Sequence, residues 1–445
     1  MRVVIIGAGQ VGESIAADLD DSHEVVIVER DPERVEELTY SRDVLAVQGD
    51  GTSLSTLEEA DVERADLVIA STDDDETNIV VCSTAKAVSD AFTVARVKNT
   101  EYLRTWQRSK KAFGIDFMVC TNLLAAESIV RVVGLPAARD VDPFAGGRVQ
   151  MAEFEVQEGS PVAGQSVAEA DRFDSLTFVA ILRDGSLTIP RGGTPIRAGD
   201  RVVVIGSPSS VQSFATSVAP AETPGSAEEV VVVGGSEIGY QVARLLEERG
   251  FRPRLVEHDP DRARVLAERL PNTVVMESDA TDMDFLEREH VGDADLLVAA
   301  LDSDEKNLLV SLLAKRLGVE RTVAVIEATA YVELFEAVGV DVGVSPREVV
   351  AEEITRFTRE GGAENVALIE SDRAEVLEVE VNASSVLVDV PIQDAVAGLP
   401  EGVVIGAITR GDELITPRGD TVVREGDHVV VFVDADLVDD VAPRL

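Results

Sequence analysis

The chain repeats itself, and the repeat limits the folds open to it more than any other feature. VVIIGAGQVGESIAADL near the start returns as VVVVGGSEIGYQVARLL in the second half. The register then persists: Gly7 and Gly234, Glu29 and Glu257, Asp50 and Asp279, Asn78 and Asn307, and Tyr102 and Tyr331 all stand about 228 positions apart. A second, different repeat follows each copy of the first. VAILRDGSLTIPRGGTPIRAGDRVVVI resembles IGAITRGDELITPRGDTVVREGDHVVVF, with Pro190 answering Pro417 and Asp200 answering Asp427. The order is A-B-A-B, so the 445 residues divide into four small domains.

Unit A, about 1–120 and again 227–345, reads as the short β-branched runs VVII, EVVIVE, LAVQGD, LVIAS, FTVARV and FMVC, separated by segments with helical spacing. Strand alternating with helix predicts parallel strands joined by right-handed crossovers, a Rossmann-like doubly wound α/β sheet. Unit B, about 140–221 and 365–445, reads as short strands broken by turn signals such as Asp184-Gly185, Gly192-Gly193, Ala198-Gly199-Asp200 and Glu425-Gly426-Asp427. It is expected to be a small α+β module. The clearest linker is APAETPGSAE, residues 219–228, which has too little apolar bulk to build a core.

In the first copy Gly7, Gly9 and Gly12 form G-x-G-x-x-G between a strand and a helical pattern. The spacing suits a dinucleotide: Gly7 permits the tight turn, Gly9 lets a pyrophosphate approach the backbone, and Gly12 packs helix on strand. The helix N-terminus then offers free N–H groups and partial positive charge to the phosphates. Glu29 ends the next strand some twenty residues on, where a carboxylate can accept both ribose hydroxyls; a 2′-phosphate there would meet like charge. NAD or NADH, or another unphosphorylated adenosine nucleotide, is therefore expected rather than NADP. Further strand ends converge on the same crevice: Asp50 and Thr52 after strand three, Ser71, Thr72 and Asp73 after strand four, and Arg96 in strand five. Each has a plainer reading too. Asp50 and Thr52 can cap the next helix, the run Asp73, Asp74, Asp75 and Glu76 can be a helix start rather than a cation site, and Arg96 can pair with a neighbouring acid.

The second copy keeps the frame and changes the ligands. Its run is Gly234-Gly235-Ser236-Glu237-Ile238-Gly239, so Ser236 replaces the glycine that admits a pyrophosphate. Glu257 and Asp279 remain, but Leu301 stands for Thr72 and Val325 for Arg96. Any affinity should be lower here than in the first half.

Along nearly its whole length the chain resembles the TrkA family of Trk potassium-uptake regulators, which carry tandem TrkA-N (RCK N-terminal, KTN) and TrkA-C (RCK C-terminal) domains. The resemblance is carried by IIGAGQVG, LAVQGDGTS, DDETN, LLAKRLG, AYVELF with VDVGVSP, and the closing GVVIGAITRGDELITPRGDTVVREGDHVVVFV. It implies a cytoplasmic subunit, peripheral to the inner face of the cell membrane, that binds NAD or NADH, and in some members ATP or ADP. It also implies that such a subunit gates a membrane potassium channel or transporter subunit of the TrkH/TrkG kind and assembles as a homo-oligomer, a tetramer. Carried over by position, the binding residues would be Gly7, Ala8, Gly9, Gln10, Val11, Glu29, Thr52, Ser71, Thr72 and Arg96. In the second half they would be Gly234, Gly235, Ser236, Glu237, Ile238, Glu257 and Asp279.

A rival reading is an NAD-dependent oxidoreductase, which needs a proton donor or base beside the nicotinamide. His23, His258, His290 and His428 do not recur between repeats, and unit B repeats without a reactive constellation. The expectation is a switch and not an enzyme. A free-standing nucleotide-sensing module is the third reading.

The charge balance bears on partners. Asp and Glu number 83 against 40 Lys and Arg, a formal net charge of -43, yet 45% of residues are hydrophobic, enough for packed cores. A surface so acidic repels phosphodiesters, which argues against nucleic acid. Cys82 and Cys120 have no zinc or disulfide spacing, the opening MRVVIIGAG reads as a strand so that a signal peptide is not expected, and no apolar run approaches the roughly 18 residues of a membrane span. No membrane insertion is therefore expected. Lysine is confined to Lys86, Lys98, Lys110, Lys111, Lys306 and Lys315. Carboxylate spread along the whole chain with so little lysine favours a salt-loving cell, where molar salt shortens the screening length to about 3 Å, over the plainer alternative of an acidic face reserved for a basic partner. Circular dichroism during dialysis from molar salt into dilute buffer checks this. The expected outcome is loss of structure, and an unchanged spectrum would count against it.

Overall fold

The computed structural model describes residues 1–445 except 21–22, 43, 110–112, 136, 184, 220–228, 359–362, 370–372 and 412. Almost all of the expected linker, together with Asp184, Lys110 and Lys111, lies outside the described residues. The chain forms two compact units, 1–129 with 229–358 and 130–228 with 359–445, and alternates between them.

The first pass through the first unit builds a six-stranded parallel sheet from β1 (Arg2–Ile6), β2 (Glu24–Glu29), β3 (Leu45–Gln48), β4 (Leu67–Ala70), β5 (Phe92–Val97) and β6 (Phe117–Cys120), in the order β3-β2-β1-β4-β5-β6. Helices Gln10–Leu19, Pro32–Ser41, Leu54–Glu59, Asp75–Val88 and Thr100–Arg108 make the crossovers. Val3, Val4, Ile5 and Ile6 are all buried, as a parallel strand covered on both faces requires. The chain then enters the second unit and forms β7 (Ala138–Phe144), β8 (Val149–Glu155), β9 (Leu176–Arg183), β10 (Ser186–Thr188) and β11 (Arg201–Gly206), an antiparallel sheet ordered β10-β9-β11-β8-β7.

The second half repeats both steps. β12 (Val230–Val233), β13 (Arg254–Glu257), β14 (Val274–Glu277), β15 (Leu296–Ala299), β16 (Arg321–Val325) and β17 (Val342–Val344) form a parallel sheet ordered β14-β13-β12-β15-β16-β17. β18 (Ala363–Ile369), β19 (Ala374–Glu380), β20 (Val403–Arg410), β21 (Glu413–Ile415) and β22 (His428–Asp434) form an antiparallel sheet ordered β18-β19-β22-β20-β21. Each sheet has the topology of its counterpart. Among the described residues no helix is long and apolar enough to cross a membrane.

Within the first unit the halves are not separate bodies. Helix Pro346–Thr358, at the end of the second parallel domain, packs on helix Gln10–Leu19 of the first. Its Val350, Ala351 and Ile354 are at most 2% exposed and share a core with Val3, Ile5, Val11 and Ile15. In the second unit the antiparallel modules share a core as well, where Val149, Met151, Val203 and Ile205 meet Val376, Val430 and Phe432.

In each antiparallel module a buried aspartate is held by an arginine from a neighbouring strand. Asp200 accepts from Arg183 Nε and Nη2, both at 2.6 Å, and Asp427 accepts from Arg410 Nε at 2.8 Å and Nη2 at 2.7 Å. Each carboxylate also accepts a backbone N–H three residues upstream, from Arg197 or Arg424, which closes the turn through Gly199 (φ +84°) or Gly426 (φ +83°). Burial raises the cost of ionising Asp427, but the bonds from Arg410 and the Arg424 N–H outweigh it and hold the carboxyl below its usual range. Its ionised form therefore stabilises the fold above the unfolded value of 3.8, and the contribution is lost as pH falls through the lower folded value. Arg410→Met strands a buried carboxylate and should cost about 3–5 kcal/mol at pH 7. Denaturant unfolding at pH 7 and pH 3 checks this: the gap between variant and wild type should shrink at the lower pH.

Candidate functional site

In the first sheet the strand order reverses between β1 and β4, so the loops leaving their carboxyl ends diverge and open a crevice. Its volume is about 820 Å³. The structure brings Gly7, Gly9, Gln10, Val11, Glu29, Asp50, Thr52, Ser71, Thr72 and Arg96 to its wall. Ala8 is fully buried beneath the loop, and Gly12 faces inward against it.

The three glycines have separate duties. Gly7 sits at φ +101°, and a Cβ there would lie 2.9 Å from Thr72 Cγ2. A Cβ on Gly12 would lie 1.9 Å from the Gly7 carbonyl oxygen, so helix and loop meet at a distance no other residue allows. Gly9 is different: its backbone is extended, with φ −76° and ψ 178°, and a Cβ there would meet nothing within 4 Å. It stands at the N-cap of helix Gln10–Leu19, where no side chain caps the helix. The first helical N–H groups therefore face an open cavity with their partial positive charge.

Glu29 is tied into this loop. Its Oε2 accepts the Ala8 N–H at 2.7 Å, and its Oε1 accepts those of Arg30 and Asp31 at 2.7 and 2.9 Å. Oε1 is thereby filled by two donors, while Oε2 keeps a further lone pair for a ribose hydroxyl. Asp50 accepts the N–H and hydroxyl of Thr52 at 2.9 and 2.8 Å, and these bonds hold its carboxyl below the usual range. Neither residue caps helix Leu54–Glu59; Ser53 occupies that N-cap position.

On the other flank, Asn78 clamps β4 to β5. Its Oδ1 accepts from Thr72 N–H at 3.0 Å and the Thr72 hydroxyl at 2.6 Å, and its Nδ2 donates to the carbonyls of Thr72 and Arg96 at 2.9 and 2.8 Å. Ser71 is buried, with its hydroxyl 3.3 Å from the Ile6 and Gly7 carbonyls. Arg96, also buried, donates through Nε to Thr121 Oγ1 at 3.0 Å and through Nη1 to Asp73 Oδ1 at 3.4 Å. Burial lowers its pKa against the opposing pull of Asp73. Both readings of Arg96 thus coexist, because it pairs with an acid and lines the cavity. Asp74 caps helix Asp75–Val88 by accepting from Thr77 N–H at 2.8 Å, and Asp75 accepts the N–H groups of Lys98 and Asn99. These carboxylates serve as helix-start and loop anchors.

Three wall arginines were not legible as site residues: Arg30, Arg34 and Arg347. Arg30 and Arg34 follow the Glu29 strand end, and Arg34 Nη1 reaches the Ala8 carbonyl at 3.3 Å. Arg347 comes from helix Pro346–Thr358 of the other half, and no local pattern announces it.

The second crevice is smaller, about 150 Å³. Here Ser236 Oγ donates to the Ala300 carbonyl at 2.7 Å and accepts the Gly239 N–H at 3.2 Å, so the helix end is capped by its own side chain. Glu257 repeats Glu29 by accepting the Gly235 N–H at 2.7 Å, but is buried and also contacts His258 Nδ1 at 2.8 Å. Asp279 repeats Asp50, accepting from Thr281, and Asn307 repeats Asn78, bonding to Leu301 and Val325. Gly234, Gly235, Ser236, Glu257 and Asp279 line this crevice, whereas Glu237 and Ile238 do not.

Comparison with known proteins agrees with this architecture. The TrkA-N domain model matches residues 3–121 and 230–346, and the TrkA-C domain model matches 151–218 and 376–445. The Trk system potassium uptake protein TrkA homolog of Archaeoglobus fulgidus is 37% identical, over 99% of this chain and 98% of that protein. Among solved structures, the GsuK RCK domain superposes with a TM-score of 0.62 at 20% identity, covering 99% of this chain and 94% of that one. The GsuK channel bound to NAD superposes with a TM-score of 0.61 at 20% identity, covering 100% and 78%. With both domain models matched twice and near full-length identity to a TrkA homolog, the chain belongs to the TrkA family of Trk-system potassium uptake proteins.

Proposed function

We propose that this chain is the nucleotide-binding regulatory subunit of a Trk-type potassium uptake system. An adenosine nucleotide, NAD(H) or ATP/ADP, occupies the first-half crevice and biases the state of a membrane potassium channel or transporter subunit. The observation that carries the reading is the uncapped helix end at Gly9, opening on a cavity of about 820 Å³ in one of two otherwise parallel crevices. Family membership supports the potassium-uptake role. The ligand class is supported by the GsuK channel, a relative in fold that was solved bound to NAD.

In this reading Glu29 receives the ribose, with Asp50 and Thr52 beside it; Gly7, Ala8, Gly9, Gln10, Val11 and Gly12 form the phosphate loop; and Ser71, Thr72 and Arg96 hold the far flank. Gly234, Gly235, Ser236, Glu237, Ile238, Glu257 and Asp279 form a weaker second site. We place the working domains at 1–120, 140–221, 227–345 and 365–445, and the active form as a peripheral cytoplasmic tetramer. The wall of the first crevice holds no His, Cys, Lys or Tyr among the described residues, which suits binding better than proton transfer. Regulation requires the nucleotide to bind two arrangements with different free energies, typically by about 1–3 kcal/mol.

Two substitutions separate fold from function. Gly9→Val puts bulk where the phosphate approaches, and its Cβ meets nothing within 4 Å; valine is a poorer N-cap than glycine, so stability should fall by only about 1 kcal/mol or less while nucleotide affinity falls at least about tenfold, or 1.4 kcal/mol. Gly12→Ala drives a methyl into the Gly7 carbonyl and should lower stability by about 1–3 kcal/mol. Isothermal titration of the full chain with NADH and with ATP, beside a melting curve for each variant, checks both. One tight site per chain is expected. Two equal sites, or wild-type affinity in Gly9→Val, would overturn the assignment.

A further inference from the structure

The inference rests on the reading of the first crevice as a nucleotide site and names a residue of that site supplied by the other half of the chain. Arg347 is the second residue of helix Pro346–Thr358, in the second half, yet it lies on the wall of the first-half crevice. Its Nη1 donates to Gln10 Oε1 at 2.6 Å, at the first residue of the helix that faces the cavity. Its Nε lies 3.4 Å from Glu327 Oε2.

The charge arrangement is unusual for a purely structural residue. Arg96 and Arg347 converge on one cavity, close enough for the Arg347 charge to act on both Arg96 and Asp73. Their acid partners sit toward solvent: the Asp73 side chain is 70% exposed and that of Glu327 is 53% exposed. Exposed partners at 3.4 Å neutralise weakly, which leaves two guanidinium groups directed at the same space. A multiply charged oxyanion is the ligand that removes this repulsion, because each guanidinium can donate paired N–H groups to phosphate oxygens. The second crevice has neither group. Val325 replaces Arg96, and the second residue of the matching helix Thr121–Val133 is Asn122, whose Nδ2 is bonded to the Lys98 carbonyl at 2.9 Å.

Position fixes which phosphate is meant. Glu29 lies on the β2 flank of the glycine loop, and Arg96 and Arg347 lie on the β4–β5 flank. A nucleotide with its ribose at Glu29 and its first phosphate at Gly9 extends its outer phosphates to the two arginines. We infer that Arg347 is a phosphate-binding residue supplied across the repeat, recognising the distal phosphates of an adenosine polyphosphate and releasing Glu327 as it does so. Helix Pro346–Thr358 is packed on helix Gln10–Leu19 through Val350, Ala351 and Ile354, and Thr355 Oγ1 donates to Asp18 Oδ2 at 3.1 Å. The presence of a distal phosphate is thereby felt by an element of the second half.

The test is titration of the full chain, wild type and two variants, with ATP and with AMP. Arg347→Gln should weaken ATP about tenfold or more and leave AMP within about twofold, since a charge-assisted hydrogen bond reaches only the distal phosphates. Glu327→Gln frees Arg347 and should tighten ATP. An arginine acting only as a strut between Gln10 and Glu327 would give the opposite or no effect in that variant, so this arm decides the matter even if Arg347→Gln fails to fold. Equal losses for ATP and AMP in Arg347→Gln, or no change for either, overturn the inference and leave the nucleotide site standing. Wild-type protein that binds neither ATP, AMP nor NADH overturns both.

Discussion

Holding an anion inside a chain of net charge -43 requires positive charge that is local, because the field of the whole molecule opposes the ligand. The rest of the first-half crevice follows from that constraint. Backbone supplies part of the answer: the helix beginning at Gln10 presents its N-terminus uncapped, which gives partial positive charge with no side chain in the way. Arginine supplies the rest, with Arg30, Arg34, Arg96 and Arg347 all on the wall. Carboxylates that share the wall are engaged elsewhere: Glu29 with three backbone N–H groups, Asp50 with Thr52, Asp74 with the N-terminus of a helix. Satisfied acids repel a phosphate less than free ones, because each already faces a donor dipole. Molar salt would screen the remaining distant charge while sparing the short contacts within the crevice.

Comparison of the two halves isolates what opens a crevice. Sheet order, the tight turn at Gly7 or Gly234, the Glu29 or Glu257 tie and the Asn78 or Asn307 clamp recur in both. These are features of the scaffold, since they persist where the ligand-facing groups have changed. The difference lies in a few side chains. Ser236 turns an open helix end into one that satisfies itself, and Val325 and Asn122 stand where the first half has Arg96 and Arg347, leaving Lys306 as the cation on that flank among the described residues. Duplication thus preserves the fold in both halves while the groups that line the two crevices differ.

Local features were legible in the sequence and distant ones were not. The glycine spacing, the strand runs and Glu29 are readable because each depends on neighbours within one strand–turn–helix unit. Ala198-Gly199-Asp200 and Glu425-Gly426-Asp427 read correctly as turns, but the reason the aspartates recur was hidden. Each is buried under an arginine 17 positions earlier, on another strand. Asn78 served only to mark the repeat register, although its side chain joins two strand ends; a fully buried Asn near a helix start leaves no periodic signature. Arg347 was the least accessible, because it is 337 positions from its partner Gln10 and the contact depends on one half packing against the other.

That packing also bears on how a ligand could be read out. A duplicated protein with separate halves would report occupancy only through the half that binds. Here Val350, Ala351 and Ile354 lie in the same core as Val3, Ile5 and Val11, so a rearrangement of the glycine loop cannot occur without a response from helix Pro346–Thr358. Close-packed cores shift between discrete arrangements and do not deform continuously, and this is the property a switch needs. The same helix ends at Thr358, where the chain passes from the first unit into the second. Within the first unit, the proposed nucleotide site and the end of the second parallel domain are thereby joined through one packed helix.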